Sequence, residues 1–237
     1  MNGAVEVVKS VPDAFAHVVA AAMVEPHDDM ISLFLSGGPT AERCYRRLAE
    51  VSAPTAEGEK ELDWANTGIY LGDERCVPPD HPDSNHRMIA EVLLGPVGSV
   101  GSDHPMYRSG SPDDAAAAYQ RLVEPLGPLD LVHLGMGPDG HCASLFPGSA
   151  ALGVEDPSVL VVASRDPNAV NPHDRITLTL PAIARARLVV FTVSGESKAP
   201  AFHRIVAGDD LPAARVTARQ VLWLVDPAAV GDTVLPG

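Results

Sequence analysis

Two residues suited to proton transfer, Asp139 and His141, lie two positions apart in LDLVHLGMGPDGHCASLFPG, the stretch from Leu129 to Gly148. An apolar, strand-like run precedes them and breaks into Gly135, Gly137 and Gly140. That pattern puts the loop at a sheet edge, where backbone can approach a ligand and a histidine can face a cleft. In an α/β protein this edge is where chemistry is kept. Taken alone, Asp-Gly-His more often marks a glycine-rich turn with a surface histidine. Other segments have to decide.

Three further apolar runs end in residues of the same kind. Ile31–Leu35 leads into Ser36-Gly37-Gly38-Pro39-Thr40, Gly68–Leu71 into Gly72-Asp73-Glu74-Arg75, and Leu188–Val193 into Ser194-Gly195-Glu196-Ser197-Lys198. The carboxyl ends of parallel strands share one edge, so these four loops are expected to line one crevice. Gly37 and Gly38 let backbone N–H groups face an anion at the start of a helix, and Ser36 and Thr40 add hydroxyls; the alternative is an ordinary tight turn. Lys198 opens a helix, where a cation is unfavourable against the dipole unless an anion sits there; otherwise it is a solvated lysine. Arg75 either pairs with Asp73 or Glu74 to order its loop or makes a bidentate phosphate contact. Arg175 begins a Thr-rich segment of strand character and is either structural or reaches the crevice from the opposite wall.

Two other chemistries are set aside. His81, Asp83 and His86 have no third histidine or cysteine at metal-site spacing, and they read as a surface loop capped by Ser84 before a helix, with no metal. No Gly-x-Ser-x-Gly elbow occurs, and Cys142 adjoins His141 too closely for an easy thiol–imidazole pair, so it reads as a small buried side chain. Attack by water is therefore favoured over a covalent acyl intermediate.

The elements that must position these groups alternate. Strands are expected at the four runs above, at Val159–Ala163 and at Val221–Val225; helices at Asp13–Met23, Thr40–Ala53, Asn85–Leu94, Asp113–Leu126, Pro181–Ala186 and Lys198–Ala207. Such alternation is the pattern of an α/β fold, a parallel sheet with crossover helices. With no convincing linker or internal repeat, residues 1–237 read as one domain.

At 237 residues and 46% hydrophobic composition the chain can bury an ample core. Its formal net charge of −14 argues against nucleic acid or an anionic membrane as partner, and an anionic small substrate requires basic side chains to converge locally. No signal peptide or spanning helix is visible, and three cysteines, Cys44, Cys76 and Cys142, odd in number and without metal-site spacing, fit a reducing cytoplasm. The sequence leaves the oligomeric state open.

Taken together and in order, LFLSGGPT, YLGDERCVPPDHPDSNHRM, DLVHLGMGPDGHCASLFPG, RITLTLPAIARARLVVFTVSGESKA and VLWLVD resemble the 6-phosphogluconolactonase family over nearly the whole chain. The related glucosamine-6-phosphate deaminases share the phosphate loop, the acidic pair and the Asp-Gly-His loop. They carry a glutamate five residues after the histidine, where this chain has Phe146, which cannot carry protons. The resemblance implies a deaminase/isomerase-type α/β fold, a doubly wound and mostly parallel sheet with helices on both faces, and hydrolysis of 6-phosphogluconolactone in the oxidative pentose phosphate pathway, without a cofactor. On that reading His141 takes a proton from water, Asp139 holds or polarises the site, and Arg75 with backbone N–H groups receives the developing oxyanion. Ser36, Gly37, Gly38, Thr40, Asp73, Arg175 and Lys198 would hold the phosphorylated sugar lactone. The usual family pattern has a proline after the threonine of the first loop; here Ala41 follows Thr40 and Pro39 precedes it, removing one N–H from the cradle. A non-catalytic sugar-phosphate sensor is the alternative of another class, and retention of Asp139 and His141 speaks against it.

Overall fold

A computed structural model describes residues 1–24, 30–53 and 62–235. The strands in chain order are β1 (Ala4–Val7), β2 (Ile31–Leu35), β3 (Thr67–Leu71), β4 (Asp73–Arg75), β5 (Ser102–Asp103), β6 (Leu129–Gly135), β7 (Val161–Ser164), β8 (Arg175–Leu178), β9 (Ala186–Val193) and β10 (Gln220–Val225). Seven of them form one sheet in the order β1-β10-β9-β6-β2-β3-β5, with every pairing parallel. The other three form an antiparallel sheet, β4-β8-β7. The helices are α1 (Val11–Val24), α2 (Pro39–Val51), α3 (Asn85–Ile89), α4 (Gly95–Val97), α5 (Pro112–Val123), α6 (Leu180–Ile183), α7 (Ala199–Val206) and α8 (Pro227–Val230).

Every residue of β2 and β3 is buried, as expected for central strands covered on both faces. Strand alternation shows what covers each face. His133, Val190 and Leu222 are in register on one side, and there Phe15 of α1 and Tyr45 of α2 meet the His133 ring at centroid distances of 4.3 and 5.4 Å. Leu134, Phe191 and Trp223 are in register on the other side; Trp223 stacks on Phe191 at 3.8 Å, and Phe202 of α7 lies 6.3 Å away from it. The sheet is thus doubly wound. In α2 the inward set Ala41, Cys44, Tyr45 and Leu48 recurs at helical spacing, and burying each large member contributes about 1.5–3 kcal/mol.

Three expectations are corrected. The run Val159–Ala163 supplies β7, which pairs with β8 in the small sheet and not with the parallel one. Gly72-Asp73-Glu74-Arg75, read as a loop, turns after β3 into strand β4, which pairs with β8. The helix expected over Pro181–Ala186 ends at Ile183, because Ala186 already pairs with Leu129 as the first residue of β9. Strand β1 is an addition: its four residues are mostly exposed at a sheet edge, and the run is too short to stand out as a strand.

Candidate active site

The four strand ends do come together. β9, β6, β2 and β3 are consecutive neighbours, and their carboxyl-end loops line a cleft of about 480 Å³. Ser36, Gly37, Gly38, Thr40, Asp73, Arg75, His141, Arg175 and Lys198 all contribute to its wall. Asp139 stands behind His141 and is not part of the lining.

The imidazole of His141 is oriented from one side. Its Nδ1 is 2.5 Å from Asp139 Oδ1, and the same oxygen accepts the His141 backbone N–H at 3.2 Å. With Nδ1–H donated to the carboxylate, Nε2 is the free acceptor. Burial works to raise the Asp139 pKa, but the hydrogen bonds and charge of His141 prevail and hold it below the ordinary value. Gly137 permits this arrangement: a Cβ there would overlap the His141 ring and the Asp139 carboxylate. Phe146 is fully buried with its ring centroid 4.8 Å from that of His141, so the position five residues after the histidine presents an apolar face and no acid.

Arg75 and Arg175 are register partners across β4 and β8. Arg75 pairs with neither neighbouring acid; its Nη1 donates to the Asp83 carbonyl at 2.7 Å. The two acids are committed elsewhere. Glu74, 1% exposed, accepts from the backbone N–H groups of Arg75, Asn85 and His86 and from the Ser84 hydroxyl, which anchors the start of α3. Burial nonetheless raises its pKa. Asp73 accepts the Ser144 hydroxyl at 2.6 Å and lies 3.8 Å from Arg175 Nη1. The Nε atoms of Arg75 and Arg175 and Oδ1 of Asn85 are buried without a partner. An unpaired buried donor is costly, and two such donors from facing arginines provide for an anion. Burial lowers the Arg175 pKa, with Asp73 opposing.

The other end of the cleft is the turn from β2 into α2. Gly38 has φ +100°, a conformation that L side chains rarely adopt, and no atom lies within 4 Å of where its Cβ would be. Gly37 is required by closeness, since a Cβ would overlap the Asn85 amide. Pro39 takes the first position of the helix, where its missing N–H has no intrahelical partner to lose. Lys198 precedes α7 and is half buried; desolvation lowers its pKa while Asp139 pulls the other way.

Sequence reasoning passed over Arg43, which lines the cleft and whose Nη2 reaches Ser194 Oγ at 3.2 Å and Thr40 Oγ1 at 3.5 Å. Its spacing of three from Thr40 on a helix is the signal that could have found it. Asn85, Asn171, Thr192 and Ser197 also line the wall. Ser84 caps α3 as expected, accepting from the Arg87 N–H at 3.1 Å. Cys142 is fully buried and free, and its thiol pKa is raised by that burial. Among the described residues no three His, Cys, Asp or Glu side chains form a metal-holding group, and no helix is long and apolar enough to cross a membrane.

Fold and site together define an α/β protein with a cation-lined cleft at the carboxyl edge of a parallel sheet and a histidine–carboxylate pair on its wall. The sequence model described as glucosamine-6-phosphate isomerases/6-phosphogluconolactonase matches residues 3–223, and the chain belongs to that family. A 6-phosphogluconolactonase of Synechocystis sp. is 34% identical over 220 residues, covering 86% of this chain and 85% of its own. 6-Phosphogluconolactonase 3 of Saccharomyces cerevisiae is 31% identical, covering 92% and 93%. The crystal structure of a 6-phosphogluconolactonase from Thermotoga maritima superposes with a TM-score of 0.81 at 30% identity, covering 95% of this chain and all (100%) of that one. A monomeric glucosamine-6-phosphate deaminase shares the fold, with a TM-score of 0.78 at 22% identity over 95% and 98% of the two chains.

Proposed function

We propose that this chain hydrolyses 6-phospho-D-glucono-1,5-lactone to 6-phospho-D-gluconate, the lactone-opening step of the oxidative pentose phosphate pathway, in a reducing cytoplasm. The observation that carries the reading is local charge: in a chain of net charge −14, Arg43, Arg75, Arg175 and Lys198 converge on one cleft beside His141. A phosphorylated lactone that develops an oxyanion and ends as a carboxylate matches that convergence. The names of the relatives point the same way.

In this mechanism the turn from Ser36 to Thr40, with Lys198 and Arg43, holds the phosphate. His141 Nε2 takes a proton from water as the water oxygen bonds to the lactone carbonyl carbon. Arg75, Arg175 and backbone N–H groups stabilise the resulting oxyanion. When the bond from that carbon to the ring oxygen breaks, the imidazolium returns its proton to the ring oxygen, which becomes a hydroxyl. Asp139 keeps the imidazole in the Nδ1–H tautomer throughout. Phe146 leaves the deaminase reaction without its ring-opening acid, a contribution typically worth about 10²–10⁴-fold.

Pure protein is expected to accelerate opening of the lactone after the spontaneous rate at the same pH is subtracted, and to release no useful ammonia from glucosamine 6-phosphate. Absence of lactone turnover, or brisk ammonia release, would overturn the assignment.

A further inference from the structure

His133 of β6 lies outside the cleft and is fully buried, yet both of its ring nitrogens have partners that reach the cleft wall. Nε2 is 2.8 Å from Oγ1 of Thr192, a lining residue of β9. Nδ1 is 2.7 Å from the Tyr45 hydroxyl of α2. That hydroxyl accepts the Ser36 backbone N–H at 2.7 Å and reaches the Ser36 carbonyl oxygen at 3.1 Å. Ser36 and Thr192 end neighbouring strands on either side of β6.

We propose that His133 is a positioning residue for the substrate phosphate: through Tyr45 it fixes the backbone of Ser36, and through Thr192 it fixes the adjoining wall, so that the phosphate end of the cleft keeps its width. The proposal rests on reading that end of the cleft as the phosphate site.

Counting donors selects one arrangement. Tyr45 has a single hydroxyl hydrogen. With the imidazole hydrogen on Nδ1, the tyrosine oxygen accepts from both Ser36 N–H and His133, its own hydrogen goes to the Ser36 carbonyl, and Thr192 donates to Nε2. With the hydrogen on Nε2, Tyr45 must choose between Nδ1 and the Ser36 carbonyl, and one contact is lost. Burial against Phe15 keeps the ring neutral, its pKa pushed down to about 3. A side chain needed only to fill this space would be apolar, since burying an imidazole is worthwhile only when both nitrogens are used.

The test compares wild type with His133→Leu, Tyr45→Phe and the double variant. Each single variant is expected to raise KM for the phosphorylated lactone and the dissociation constant for inorganic phosphate by about tenfold, the equivalent of one hydrogen-bonded contact. The value of kcat stays within about twofold, and turnover of unphosphorylated gluconolactone is unchanged. The double variant costs less than the sum of the two single effects, because the Tyr45–His133 contact is shared by both. Nitrogen-15 spectra of histidine-labelled wild type should show one neutral Nδ1–H imidazole that persists under mild acid. Unchanged phosphate affinity, equal losses on both lactones, additive effects or an Nε2–H spectrum would each overturn the proposal. If His133→Leu does not fold, Tyr45→Phe carries the same comparison. Phosphate titration is independent of turnover, so a wild type that lacks lactonase activity would defeat the functional reading without deciding this one.

Discussion

At the scale of single residues, the cleft separates two tasks that mutation can pull apart. His141 faces it with a free Nε2 while Asp139 holds Nδ1 at 2.5 Å. His141→Ala is expected to lower kcat by about 10²–10⁴-fold while inorganic phosphate still binds, as measured by initial rates and by titration calorimetry. A variant that keeps more than about a tenth of wild-type kcat would leave His141 as a positioning group only. Lys198→Ala should behave in the opposite way. It is expected to cost roughly 10- to 150-fold in kcat/KM on the phosphorylated lactone, the range of a charge-assisted contact, with little change on plain gluconolactone. Arg43→Ala should act in the same direction but more weakly, because Arg43 is an exposed residue. Equal losses on both substrates would make either cation structural.

At the scale of elements, the loops succeed because short strands end abruptly in residues without side-chain bulk. Gly137 is the sharpest case. Gly137→Ala should leave the thermal midpoint within a few degrees of wild type, yet reduce kcat by at least about tenfold, because the new methyl group must displace the His141 ring. Circular dichroism melting and initial rates check the two halves of that statement. The three turns after β2, β6 and β9 are legible in the sequence, since a continuous apolar run followed by Ser-Gly-Gly, Gly-Met-Gly or Ser-Gly-Glu marks a buried strand meeting a sheet edge. The pairing of the small sheet is not legible, although Val159–Ala163 and the Thr-rich segment from Arg175 do read as strands. Asp-Glu-Arg is too short to show a period, and its pairing depends on partners about a hundred positions away, Arg75 opposite Arg175 being one. For the same reason Glu74 reads as a possible ion-pair partner of Arg75, when its carboxylate in fact ties down the start of α3. His133 is equally hidden, because within VHLG its neighbours announce a buried strand and nothing local reveals that Tyr45 and Thr192 will meet it.

At the scale of the whole molecule, the buried His133 couples the fold to pH. Its pKa is about 3 when folded and about 6.5 when unfolded, so the unfolded chain binds the extra proton between those values. The stabilisation is complete above pH about 6.5 and is lost progressively as pH falls towards 3, at up to about 1.4 kcal/mol per pH unit. Urea unfolding between about pH 4 and 6 should therefore show a slope of stability against pH that is shallower by close to one proton in His133→Leu than in wild type. An unchanged slope would mean that the acid sensitivity arises elsewhere. The sheet order has a consequence of another kind, for the history of the chain. β1 pairs only with β10, Ala4 lying opposite Leu222, so the first strand has no partner until the last has formed. The four strands that carry the cleft are neighbours of one another and can assemble in its absence. Until β1 docks, the flank of β10 offers a row of unpaired N–H and C=O groups on which another chain could add a strand. The short β1, with Glu6 exposed along it, covers that flank, and a short edge strand carrying a charge is a poorer template for edge-to-edge pairing than the longer β10 it shields.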